Sequence, residues 1–225
     1  MSHTADVAII GAGGFGREVL EYCQDAQNAG WPFRVVGFID DGPDALKMFT
    51  VSVGVLGNLT EIGKLSVENF IIAIGDPSAR RKICELIGSV DGSLVSIIHP
   101  TAYVSSTARV EAGAVLCPFS MVGSGAVVEQ NVAVNVYGSV GHDANIGEHC
   151  VLSPYTAITG AVYLGDESFL GAHSTIAPGV SVGRRSKINA GSVVTRNAEP
   201  GSLLVGNPAS GRVMFSLTDR QSDGS

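Results

Sequence analysis

Residues 110–147 read VEAGAVLCPFSMVGSGAVVEQNVAVNVYGSVGHDANIG, and their spacing decides the fold. Val110, Leu116, Val122, Val128, Val134, Val140 and Ile146 stand six residues apart. Extended both ways, the series runs from Ile98 and Val104 to Leu152, Ile158, Leu164, Leu170, Ile176, Val182, Ile188 and Val194. All 17 positions are Val, Ile or Leu, types that fill only 57 of the 225 positions in the chain, so chance does not produce the run. Four residues after each aliphatic comes a small or β-branched residue, as at Ala114, Ser120, Ala126, Val132, Gly138, Ala144 and Cys150. Glycine often follows the aliphatic directly, as at Gly123, Gly141, Gly147, Gly165, Gly171 and Gly183.

A period of six fits neither a helix of 3.6 residues per turn nor a hairpin meander. It predicts a three-sided solenoid in which each hexad is a short strand and a corner. The aliphatic points inward, the small residue fills the interior near the corner, and glycine eases the turn. Three hexads close a coil of 18 residues, and coils stack at about 4.8 Å like strands in a sheet. The stretch 98–194 then makes five coils and a remainder.

Composition narrows the function classes. Apolar residues at 45% and charged residues at 16% allow a sizeable core. A net charge of −7 argues against a general nucleic-acid binder. There is no run of 18 apolar residues, so no membrane insertion is expected, and the first residues lack the basic region of a signal peptide. Cys23, Cys84, Cys117 and Cys150 lie far apart with no CxxC pair, which fits a reducing, cytoplasmic compartment without structural zinc.

The first hundred residues read as a βαβ unit. Strands are expected at Asp6–Ile10, Arg34–Ile39, Val53–Leu56 and Asn69–Ile74, and helices at Glu18–Gln27 and Ser78–Ile87. Between the first strand and helix lies Gly11-Ala12-Gly13-Gly14-Phe15-Gly16, a GxGxxG loop, and Asp40-Asp41 closes the second strand. Three readings compete. The loop binds NAD, it holds the diphosphate of another nucleotide at a helix N-terminus, or its glycines serve packing alone. A unit this short leaves no room for a full dinucleotide fold.

GAGGFGREV, the IDD after the second strand, IAIGDPSARRKI, VGHDANIG and the closing VGNPA occur together from Val7 to about Met214. In this the chain resembles the nucleotide-amino-sugar N-acetyltransferases, hexapeptide-repeat acyltransferases related to the sialic-acid O-acetyltransferases and including perosamine and bacillosamine-type enzymes. The resemblance implies an α/β Rossmann-like nucleotide-sugar domain over 1–97, an all-β left-handed parallel β-helix acyltransferase domain over 98–215, and a disordered tail over 216–225. It implies a homotrimer with acetyl-CoA in the groove between neighbouring β-helices, and no metal. The implied reaction is acetyl transfer to the amine of a nucleotide-linked 4-amino-4,6-dideoxy sugar, such as GDP-perosamine or a UDP-4-amino sugar, for cell-surface glycans such as lipopolysaccharide O-antigen. Gly11, Gly13, Gly14, Phe15, Asp40 and Asp41 would hold the nucleotide sugar.

His142 falls two residues after inward Val140, on a corner, and is followed by Asp143, which can orient the imidazole. Attack by a sugar amine on a thioester needs a proton acceptor, and His142 is the candidate. One coil further on stands Gly160, whose unobstructed N–H suits an oxyanion. The family's pattern matches this His-acid pair and glycine, and adds Asn135 for acyl placement. Backbone around Ala172, Ala190 and Gly191 would line the pantetheine path, with Arg196 or Arg212 meeting CoA phosphates. Where some relatives carry a second groove histidine this chain has Val151, and Ser210-Gly211-Arg212 follows VGNPA. His149 and His173 are also expected on corners, His3 in a disordered tail, and His99 in a structural place at the domain junction. Cys150 takes an inward slot and Cys117 has no base, so neither is a good nucleophile. Rival readings are an O-acetyltransferase, a non-catalytic nucleotide-binding scaffold, and a zinc site of the γ-carbonic-anhydrase kind. The last needs three converging histidines, and counting hexads puts His142, His149 and His173 on three different corners.

Overall fold

The computed structural model describes residues 5–42 and 44–215. The expected tail 216–225 and His3 lie outside them. The N-terminal part is a parallel five-stranded sheet with the order β3-β2-β1-β4-β5. Its strands are β1 (Ala5–Ile10), β2 (Phe33–Ile39), β3 (Val55–Gly57), β4 (Asn69–Ile72) and β5 (Ser93–Leu94). Helix α1 (Gly14–Asn28) follows β1 and α2 (Pro77–Ser89) follows β4. The alternation of β1 splits the packing: Val7 and Ile9 join the core with Val19, Leu20 and Cys23 of α1, while Ala8 and Ile10 join that with Ile83 and Ile87 of α2.

Helix α1 starts four residues earlier than the sequence pattern predicts. Its N-cap, Gly13, makes no side-chain cap bond and so leaves no capping signal to read. Helix α2 has that signal: Asp76 accepts from the Ala79 N–H at 2.8 Å, and Pro77 opens the helix. The short turn Leu59–Lys64 and strand β5 were not expected.

From Ile97 the chain winds as a parallel β-helix with three faces. Through Thr175–Ile176 each two-residue strand pairs with the strand 18 residues on, as Ser139–Val140 does with Ala157–Ile158. The first face runs from Ile97–Ile98 through Val115–Leu116, Ala133–Val134, Val151–Leu152 and Phe169–Leu170 to Lys187–Ile188, and the hairpin 202–213 extends it. The second face runs from Tyr103–Val104 to Val193–Val194, and the third from Arg109–Val110 to Ser181–Val182. From Leu116 to Val194 the inward aliphatics are at most 2% exposed. Each contributes roughly 1.5–3 kcal/mol of burial free energy.

The corner chemistry differs from the expectation. The left-handed residue is the third after the aliphatic, and ten non-glycine corner sites of this kind include Phe119, Tyr137, Asp143, His149 and His173. The glycine directly after the aliphatic does not supply the turn. It lets coils approach: a Cβ on Gly171 would stand 2.5 Å from the Ala190 nitrogen, and one on Gly141 2.6 Å from the Thr159 carbonyl carbon.

The two parts share a core. Val115, Ala133 and Val151 face outward from the first face, yet they are at most 6% exposed because α1 and its neighbours cover them. Arg80 of α2 is fully buried at the same junction. Its guanidinium donates to the carbonyls of Ile72, Ile74 and Asn131 and to Asn131 Oδ1.

Candidate active site

Call the turns after the first, second and third faces the first, second and third corners. The second corner carries residues 141–144 and, one coil on, 159–162. His142 leaves the solenoid there with 70% of its side chain exposed. Asp143 adopts φ 58, a conformation Asp tolerates better than most residues, and its Oδ2 lies 2.9 Å from His142 Nδ1. An ionised carboxylate only accepts, so Nδ1 carries the proton and Nε2 has the free lone pair. The ring lies over Gly160. A Cβ there would stand 2.5 Å from His142 Cε1 and closer still to Nε2. Among the described residues no acceptor takes the Gly160 N–H. The corner thus offers a proton acceptor and a backbone donor side by side.

Asn135, Ala172, Ala190 and Gly191 lie on the first corner. One chain therefore does not bring them to His142. The Asn135 Oδ1 accepts from the Val136 N–H at 2.7 Å, which leaves its amide NH2 free to donate. Arg212 pairs with Leu203 in the terminal hairpin, and Arg196 lines a 440 Å³ cleft between Val194 and that hairpin.

In the N-terminal sheet the glycines divide in two. Gly11, at φ 101, has no space for a side chain, because a Cβ would meet Ile74 Cδ1 at 2.6 Å. Gly16 abuts the Gly11 carbonyl. Both serve packing. Gly13 and Gly14 have open space around them and stand at the uncapped start of α1, where free N–H groups favour an anion. The Phe15 ring is partly buried against the α1 core. Asp40 is already engaged: Oδ2 accepts from the Ala12 N–H at 2.7 Å and Oδ1 from the Gly42 N–H at 2.8 Å. It braces the glycine loop. Asp41 Oδ1 accepts from the Leu59 N–H at 3.1 Å. Both aspartates line a 460 Å³ cavity with Val55, Leu56, Gly57, Asn58 and Glu61.

The other histidines part company. His99 is buried against Tyr22, with Thr101 on Nδ1 and Asp25 on Nε2. His149 is on the third corner but does not open to solvent: α2 covers it, Asn131 lies 3.1 Å from its Nδ1, and burial beside Arg80 holds its pKa below the ordinary value. His173 is exposed on the first corner. The three thus occupy three different corners, and among the described residues no group of three His, Cys, Asp or Glu side chains is placed to hold a metal. Burial pushes the Cys117 thiol up to about 12 and raises that of Cys150 further.

Sequence reasoning missed two features. One is the buried Arg80–Asn131–His149 junction. The other is a column of stacked rings, Phe119, Tyr137, Tyr155 and His173, along the first corner. Its signal is a period of 18 within the period of six.

Residues 6–87 match the PglD N-terminal domain family, and residues 162–196 match the hexapeptide repeat of succinyl-transferase. Over 116 residues the chain is 31% identical to the UDP-N-acetylbacillosamine N-acetyltransferase of Bacillus subtilis strain 168, a match covering 49% of this chain and 50% of that protein. The chain thus spans about half the length of that curated relative. The acetyltransferase domain of PglB from Neisseria gonorrhoeae FA1090, solved with acetyl coenzyme A, is 29% identical with a TM-score of 0.81. That likeness covers 91% of this chain and 98% of that one. PerB from Caulobacter crescentus, solved with CoA and GDP-perosamine, is 28% identical with a TM-score of 0.75, covering 92% and 97%.

Proposed function

We propose that the chain is a hexapeptide-repeat nucleotide-amino-sugar N-acetyltransferase, like the proteins it resembles, and that it transfers acetyl from acetyl-CoA to a nucleotide-linked 4-amino-4,6-dideoxy sugar. The observation that carries the reading is the second corner. There His142 is held by Asp143 at 2.9 Å with its other nitrogen over Gly160. In the reaction the sugar nitrogen attacks the thioester carbon as His142 Nε2 takes the amine proton. Gly160 N–H meets the developing oxyanion. The intermediate collapses, the C–S bond breaks, and the CoA thiolate leaves with the proton that His142 held. Asp143 keeps the ring in the tautomer this needs and stabilises the imidazolium. No acyl-enzyme is required.

The β-helix is the transfer domain and the N-terminal sheet holds the nucleotide sugar, its diphosphate at the α1 start by Gly13 and Gly14. The working form is a homotrimer: His142 is 70% exposed in one chain, and Asn135, Ala172 and Ala190 reach it only from another copy. Acetyl-CoA lies in that shared groove, with Arg196 and Arg212 toward its phosphates. The acyl donor and the free thiols fit a cytoplasmic enzyme of cell-surface glycan synthesis. The test is turnover with acetyl-CoA and a set of GDP-, UDP- and dTDP-linked 4-amino sugars. Acetylation of one of them, lost in His142→Ala, is the expected result. Binding of a nucleotide sugar without CoA binding or turnover would leave the scaffold reading instead.

A further inference from the structure

The 460 Å³ cavity beside Asp40 and Asp41 lies at the carboxyl ends of β2 and β3, where ligands of open parallel sheets bind. Ile39 of β2 pairs with Gly57 of β3, and the Asp40 N–H donates to the Gly57 carbonyl at 3.1 Å. Asp40 Oδ2 also holds the Ala12 N–H, which joins the cavity to the glycine loop after β1. Strand β3 is two strands from β1, roughly 10 Å across the sheet. That is the span from a diphosphate at Gly13 and Gly14, through a ribose, to its base. Val55 and Leu56 supply an apolar wall for a flat ring. The polar groups form a pattern. Glu61 Oε2 accepts from the Asn58 N–H at 3.2 Å, and among the described residues nothing bonds to Oε1. Asn58 Oδ1 is taken by the Thr60 N–H and hydroxyl, so its amide NH2 is left to donate. Gly57 makes room for the carboxylate, since a Cβ there would stand 3.0 Å from Glu61 Oε2. Among the described residues no Lys, Arg or His lines the cavity. An amide donor thus stands beside an acceptor-only carboxylate that no cation neutralises.

We propose that this cavity reads guanine, so that the acceptor is a GDP-linked amino sugar. The inference rests on the nucleotide-sugar reading above and names its base. The pairing edge of guanine presents O6, N1–H and the N2 amino group in a row, one acceptor and then two donors. Asn58 donates to O6, and Glu61 accepts from N1–H and N2–H as a bidentate pair. Asp41 Oδ1 already takes the Leu59 N–H, and Oδ2 accepts from a ribose hydroxyl, the usual work of a carboxylate after the second strand. Among the common bases only guanine has two adjacent donors on this edge. Uracil and thymine present a single N–H between two carbonyl oxygens. Against Glu61 either base makes one bond and sets a carbonyl against the second carboxylate oxygen, which repels it. Glu61 is then the residue that selects the nucleotide.

The experiment measures binding of GDP, IDP, UDP and dTDP to the full chain by calorimetry. IDP keeps O6 and N1–H and lacks only the N2 amino group. GDP should bind about 10- to 100-fold tighter than UDP or dTDP, the usual worth of a bidentate base contact, with IDP between them. Glu61→Gln keeps an acceptor for the Asn58 N–H, and with it the capped turn, but offers the base one acceptor in place of two. It should weaken GDP by about 10-fold and leave UDP unchanged, whereas Asp41→Asn should weaken all four alike. UDP or dTDP bound as tightly as GDP would overturn the assignment. So would IDP equal to GDP, or Glu61→Gln acting on all four alike. Binding of none of the four removes the nucleotide-sugar reading, and this inference with it.

Discussion

Gly160→Ala separates the role of His142 from the integrity of the fold. Gly160 is not in a left-handed conformation, so alanine adds no backbone strain. The three atoms nearest to its Cβ would all belong to the His142 ring, the nearest carbon at 2.5 Å. Carbon atoms rest at about 3.5–4.0 Å, so the imidazole must back away by about 1 Å. His142 is exposed and free to do so, and stability should change by less than about 0.5 kcal/mol. The N–H of residue 160 remains. What is lost is the placement of Nε2, and a misplacement of about 1 Å is worth about 100-fold in rate. Gly141→Ala is the contrasting control. There the new Cβ meets backbone, the Thr159 carbonyl carbon at 2.6 Å and the Gly160 nitrogen at 2.8 Å, so the coil itself must shift. That should cost about 1–3 kcal/mol of stability. The assay is kcat at saturating acetyl-CoA and sugar, with Tm measured on the same samples. Wild-type kcat in Gly160→Ala would refute the placement of the reacting centre at this corner.

His142→Ala should lower kcat by about 10²–10⁴-fold with Tm unchanged, since the side chain adds nothing to the core, and Asp143→Asn should cost less. Stability should fall with acid in the window below the ordinary histidine pKa. Burial and Arg80 hold the His149 pKa down, so the unfolded chain binds the proton first, and His149→Gln should flatten Tm between pH 7 and about 5. Light scattering at micromolar concentration should give three times the chain mass, and a fully active monomer would contradict the shared groove.

How much the sequence revealed depends on the range over which its signal repeats. The solenoid was legible because each hexad states the same local rule, aliphatic inward and small residue near the corner, over seventeen strands. His142, Asp143 and Gly160 were legible for the same reason: once a coil is 18 residues, residue 160 must stand beside 142. The reading of the glycine after each aliphatic erred because a close approach and a turn both ask for the same residue, and only coil stacking tells them apart. His149 looked like another open corner until α2 was seen to cover it, and that contact joins residues 51 apart in Arg80 and Asn131. The outward Val115, Ala133 and Val151 did carry a hint, since an apolar outward position in every third hexad marks a covered face. In the N-terminal sheet the GxGxxG loop mixes two jobs, packing at Gly11 and Gly16 and open backbone at Gly13 and Gly14, which no motif distinguishes.

The most direct test of the account is mass spectrometry of the product formed from acetyl-CoA and a nucleotide-linked 4-amino-4,6-dideoxy sugar. The account predicts a gain of one acetyl group on the sugar nitrogen, one CoA thiol released per product, and loss of both in His142→Ala. Acetyl found on a hydroxyl, or product formed at the wild-type rate without His142, would contradict it.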